Sequence, residues 1–179
     1  MATIAACSAE TRDDASVSED SVTTQPAPTQ PNTPVWSIRP DGTGTVRLGM
    51  TLAELAPHLT TPPDTGRIGD GCEYVRVTNA PDSVLFMVEA GRLVRVDVVG
   101  GRTATVEGAQ VGDPESRILE LYPTARRQPH KYTDGRYLIA LPNAPADTLH
   151  RYVFETDGQR VTRFRAGVFP PVEYVEGCG

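Results

Sequence analysis

Two stretches of the chain share one pattern of apolar and polar positions. "VRLGMTLAELAPHL", from Val46, and "AQVGDPESRILELYP", from Ala109, each give an aliphatic residue, a glycine, a capping residue and apolar positions at helical spacing. In the first, Thr51 and Glu54 make a T-x-x-E capping box ahead of Leu52, Leu55 and Leu59. Pro57 limits that helix, because it removes a backbone bond and crowds the preceding turn. In the second, Asp113 is the expected cap and Pro114 suits the first helical position. Ile118, Leu119, Leu121 and Tyr122 then form an apolar face, and Pro123 ends it.

Downstream of each helix the spacing shortens to that of strands. "CEYVRV" is followed by "VLFMVEAGRLVRVDVVG", and "RYLIAL" by "RYVFETDGQRVTRFRAG". Both long segments turn at glycine, in Glu89-Ala90-Gly91-Arg92 and Thr156-Asp157-Gly158-Gln159. Gly49 to Gly112 is a displacement of 63 residues and Gly91 to Gly158 one of 67; an insertion around "PNAPADT" covers the difference. A last strand, "VEYVEG", is predicted after Pro170-Pro171. One such unit is too small to bury its sheet face alone. The expected fold is therefore α+β: two tandem helix-plus-antiparallel-sheet repeats, residues 35–104 and 105–179, packed as one domain with Val35, Trp36 and Ile38 as its first core residues.

"RLGMTLAEL" running on to a glycine-turned hairpin resembles the repeat unit of β-lactamase-inhibitor-type proteins. It also resembles small outer-membrane assembly lipoproteins with a "GMT" helix start, and envelope lipoproteins that carry this repeat. The shared part is the start of the helix and the strand order, about 45 residues per repeat. The resemblance implies a sheet, and loops at its edge, that serve as a protein-binding surface rather than a catalytic site.

The segment ahead of the domain changes the picture of where it works. From Ser8 to Pro34 the chain lacks apolar periodicity and ends "TTQPAPTQPNTP", so residues 8–34 are predicted to be a disordered tether. Before it, Ile4-Ala5-Ala6-Cys7 resembles the lipobox of bacterial lipoproteins, with Cys7 as the lipidation site. A signal peptide has a basic start and an apolar run of 7–15 residues, and only six residues precede Cys7. The reading frame is accordingly expected to begin upstream, with residues 1–7 the remainder of the signal. Ser8 after Cys7 points to the outer membrane, so the expected location is periplasmic and lipid-anchored. With Cys7 assigned to lipid, Cys72 and Cys178 remain, an even pair suited to an oxidising space and to a disulfide bond.

Charge excludes one class of partner. The net charge is -6; residues 1–34 hold one Arg against five acids, while residues 101–179 hold ten cations against ten acids. Nothing here attracts a phosphate backbone, so no nucleic-acid partner is expected. No cofactor or metal is expected either, since no CxxC or Cys/His spacing points to zinc.

The densest polar-aromatic stretch is "ARRQPHKYTDGRY". It places Arg126, Arg127, His130, Lys131 and Tyr132 between the second helix and its strand. It reads as a partner-binding loop, since Arg fits carboxylates bidentately and Tyr supplies contact area. It reads also as a solvated connection with an ordinary turn. "RVTRFRAG" adds Arg163 and Arg165 at two-residue spacing, a basic stripe or a wet sheet face. Glu155 and Asp157 flank a turn and look solvated. No catalytic residue is assigned. The expected function is a non-catalytic, monomeric, macromolecule-binding module of inhibitor or assembly type with a protein partner in the envelope. Two alternatives stay open: a hydrolase or transferase centred on His130, with Cys72 and Asp134 as conceivable companions, and a small-ligand or glycan binder.

Overall fold

A computed structural model of the chain describes residues 36–61, 71–142 and 146–178. The expectations for Cys7, the tether and Val35 lie outside these residues. Ten strands dominate the described residues. β1 (Ile38–Arg39), β2 (Gly42–Thr43) and β3 (Val46–Arg47) form a small antiparallel meander. β4 (Cys72–Val75), β5 (Val84–Glu89), β6 (Arg92–Val98), β7 (Arg126–Pro129), β8 (Arg136–Ala140), β9 (His150–Thr156) and β10 (Val161–Val168) form one antiparallel sheet. Its strand order is β4-β5-β6-β10-β9-β8-β7.

This architecture corrects the α+β expectation of two helix-plus-sheet repeats. The protein is mostly β, and its described α-helices are short: α1, Leu52–Leu55, and α2, Glu115–Leu121. Proline is the physical reason. Pro57 turns α1 into one 3-10 turn, Ala56–His58, and Pro114 and Pro123 bracket α2. The strands of both stretches merge into a single sheet, because β6 pairs with β10 through Val98↔Phe164 and Val96↔Ala166. What recurs is local. Gly49 N–H donates to Leu93 (2.7 Å) and Gly112 N–H to Val161 (2.8 Å), each at the start of a hairpin's return strand. The capping box at Thr51 and Glu54 is present, with Thr51 N–H 2.8 Å from Glu54 Oε2. At α2 the cap position is Pro114 itself, and the Asp113 carboxylate instead accepts from Gln110 N–H at 2.9 Å. Residues 172–177 do not form the predicted strand; a 3-10 turn, Pro171–Glu173, opens a segment that lies across the sheet.

The two faces of the sheet differ in chemistry. One is the core: Phe86, Val96, Leu138, Tyr152, Phe154 and Phe164 pack with Ile38, Leu55, Ile118 and Tyr122 from the meander and helices. Tyr122, Phe154 and Phe164 form a chain of rings 5.4 and 5.6 Å apart. Tyr122 satisfies its hydroxyl by donating to Glu107 at 2.6 Å, and burial pushes the phenol up from its ordinary range. Such a face needs only alternating apolar residues. The other face carries charge.

Candidate functional site

Strand register arranges the second face in three rows. Tyr137, Glu155 and Arg163 form one; Ile139, Val153, Arg165, Asp97 and Leu85 the next; Arg151, Gly167, Arg95, Met87 and Tyr74 the third. Charges at the centre of a sheet require partners, and Arg151 finds Glu173 on the segment that crosses this face. Arg95 grips Asp97 bidentately, Nε to Oδ2 and Nη2 to Oδ1, both 2.8 Å. Its remaining donors reach Tyr74 Oη (2.9 Å), Pro171 O (3.1 Å) and Tyr174 O (2.8 Å). All five guanidinium donors are used. Burial works against the charge of Arg95, but the bonds and charge of Asp97 outweigh it and hold the guanidinium pKa above its ordinary value.

Glu155 is the hub of the first row. It looked solvated from the sequence, yet it is buried and faces Arg163, Arg165 and the His130 ring. Arg165 Nη1 bonds Glu155 Oε1, while Arg163 Nε and His130 Nε2 lie 3.4 and 3.5 Å from Oε2. The His130 ring stacks on Tyr137 at 4.5 Å and 23°. Its Nδ1 accepts the Tyr132 N–H at 3.1 Å, so the N–H of the ring is on Nε2, facing the carboxylate.

A cleft of about 580 Å³ opens beside this group, lined by His130, Tyr132, Asp134, Glu155, Thr162 and Arg163 among others. A second cleft, about 250 Å³, is lined by Tyr74, Arg95, Asp97 and Arg165. Glu155, Arg163 and Val175 border both.

The residues singled out in the sequence fall into three groups. His130, Arg163 and Arg165 converge on Glu155; Arg163 is 58% exposed at the cleft, and Arg165 is 3% exposed. Lys131 and Tyr132 reach Glu176 near the C-terminus, with Lys131 Nζ at 2.8 Å. That pairing raises the lysine pKa and lowers that of Glu176. Arg126 and Arg127 join neither group: they sit exposed on β7, an edge strand rather than a loop. His130 N–H donates to Gly135, so bonding alternates along β7 and leaves Arg127 and Pro129 facing outward. Pro129 has no N–H to offer, and with the two arginines it guards the edge against pairing. Replacing Arg126 and Arg127 together with Ala is expected to shift stability by no more than about 0.5 kcal/mol per site in urea denaturation. A larger loss would mean that the edge is structural.

Sequence reasoning missed Glu155, the Arg95–Asp97 pair and Glu176. The signal was present in "RLVRVDVVG", where Arg95 and Asp97 share parity inside an apolar strand. Cys72 is bonded to Cys178, Cα atoms 5.3 Å apart, which removes it as a companion nucleophile for His130. The nearby hydroxyls are engaged: Thr162 donates to Glu155 O (3.2 Å), Thr156 to Glu115 (2.6 Å), and Thr133 Oγ1 accepts from Gly135 N–H (3.1 Å). Among the described residues, no group of three or more His, Cys, Asp or Glu is placed to hold a metal ion, and no helix is long and apolar enough to cross a membrane.

No family model matches the chain, and comparisons with curated proteins and with solved structures find no match.

Proposed function

We propose that this chain is an exported, non-catalytic binding module of inhibitor or assembly type, which docks a protein partner over the His130–Arg163 cleft. One observation carries the reading. Arg163 is fixed through Nε to Glu155, while its terminal nitrogens make no hydrogen bond among the described residues. A pre-oriented guanidinium at a cleft mouth is suited to a carboxylate of the partner, because its fork is already held in place. Tyr132, 61% exposed on the same cleft, supplies contact area. The engaged ring nitrogens and hydroxyls favour binding over catalysis, which needs a nucleophile within reach of a base. The Cys72–Cys178 bond suits an oxidising compartment, and a lipid anchor at Cys7 would hold the module at the outer membrane.

Photo-crosslinking in cells tests this. A benzoylphenylalanine at Thr162, on the cleft, is expected to trap a discrete partner, and Arg163→Ala to remove the adduct. The same probe at Glu120, on exposed α2, is the control. Equal adducts from both positions, or one indifferent to Arg163→Ala, would sink the proposal.

A further inference from the structure

We infer that the sheet face beneath residues 170–178 is a peptide-binding groove, occupied here by the chain's own C-terminal segment. Its partner in trans would be an extended acidic peptide bearing aliphatic side chains. The inference rests on the reading of this face as a protein-docking surface and names the partner's chemistry.

The segment leaves β10 at Phe169 and runs back over the charged face without joining the ladder as a strand. What holds it is side-chain recognition of its backbone. Arg95 donates to the carbonyls of Pro171 and Tyr174, and Arg165 Nε donates to that of Val172 at 2.5 Å. Its side chains are read separately. Val172 is fully buried against Tyr137, Ile139 and Val153, and Val175 packs on the same cluster. Glu173 pairs with Arg151, and Glu176 with Lys131 and Tyr132. Carbonyls held by fixed donors, aliphatic residues in pockets and acids on cations are the elements by which proteins recognise extended peptides.

The face is also wider than its occupant. The two clefts already described border Val175, and a third space of about 60 Å³ lies between Gln128, Arg165 and Glu173. At the far end Gly177 lies so close to Tyr74 that a Cβ there would meet its hydroxyl at 2.6 Å, and Cys178 is then bonded to Cys72. That bond gives the cis segment an effective concentration no free peptide matches. Exchange with an external dithiol opens it. One thiolate attacks a sulfur of the pair to form a mixed disulfide, and the second thiol resolves it. The dithiol is oxidised to a disulfide as two electrons and two protons pass to Cys72 and Cys178.

Disulfide trapping tests the groove with the full-length chain. A synthetic peptide of residues 170–179, retaining Cys178, is mixed in glutathione buffer with the Cys178→Ser protein, whose Cys72 is then unpaired. Trapping at Cys72 is expected to be at least tenfold faster than with a reversed-sequence peptide of the same composition, and tenfold faster than with a peptide carrying Glu173→Gln and Glu176→Gln. Equal rates for all three peptides overturn the inference. A second measurement guards against misfolding of the variant: fluorescence anisotropy of a labelled peptide carrying Cys178→Ser, titrated with the wild-type chain. Saturable binding to the reduced chain and none to the oxidised chain is expected; no binding to either overturns it. A surviving Thr162 adduct with no peptide selectivity would remove the peptide chemistry and leave the docking surface. Peptide selectivity with no adduct would do the reverse.

Discussion

Replacing Glu155 with Gln is expected to lower the unfolding free energy by about 3–5 kcal/mol, the loss that follows when one partner of a buried ion pair is removed. The carboxylate is buried on a face where Arg165 is 3% exposed, so the cation left behind cannot turn to water. Arg165 keeps one bond, to Val172 O, and a neutral amide is a weaker acceptor for the rest. His130 and Arg163 lose the same anion, though Arg163 is exposed enough to resolvate. Urea denaturation measures the change. The pair itself is a different matter. Glu155→Leu with Arg165→Met together are expected to recover much of the single-variant loss, because apolar residues of similar size need no counter-charge. A single-variant loss below about 1 kcal/mol would show that the Arg165–Glu155 pair does not hold this face together.

The second large effect is expected from the disulfide. Cys72 and Cys178 are 106 residues apart in sequence, and a closed loop of that size is worth about 4–5 kcal/mol in the chain-entropy picture. Changing both to Ser is expected to cost that much, less whatever the surviving contacts of residues 170–177 retain. For a chain of this size each kcal/mol moves Tm by about 2–4 °C, so scans with and without reductant resolve it. Wild-type protein in reductant is expected to match the double variant. An unchanged Tm in both would mean that the end of the chain is held by its arginine and valine contacts alone. The two losses will not add, since Arg165 bonds both Glu155 and the segment that the disulfide pins.

Local signals in the sequence were reliable where the chain itself decides the outcome. The capping box at Thr51, the hairpin turns at Gly91 and Gly158 and the cysteine pair all follow from near neighbours or from chemistry. Two kinds of feature were not legible. Fold class was overread, because two short proline-bounded helices, Leu52–Leu55 and Glu115–Leu121, were taken to define two α+β repeats when the strands dominate. The merger of all seven strands depends on β6 meeting β10, a non-local pairing that no window of sequence contains. The site was half visible for the same reason. His130, Arg163 and Arg165 stood out from the sequence. The anion that gathers them was discounted because Glu155 adjoins a turn, and a turn residue is ordinarily wet. Glu155 is instead enclosed by partners brought from elsewhere in the chain, His130, Arg163 and Arg165, with Val175 bordering the same cleft.

The β6–β10 pairing has a consequence for the order in which the molecule is assembled. β6 completes a hairpin with its neighbour in sequence, but its other side waits for a strand that emerges last during synthesis. Leu93, Val96 and Val98 of β6 are fully buried in the finished sheet, and an unpaired strand edge of that composition is one that favours association. Arg95 and Asp97 lie on the same strand, on its other face. The charges that anchor the end of the chain thus also stand on the strand whose second edge is closed only by β10, a place where charge disfavours pairing with a wrong strand.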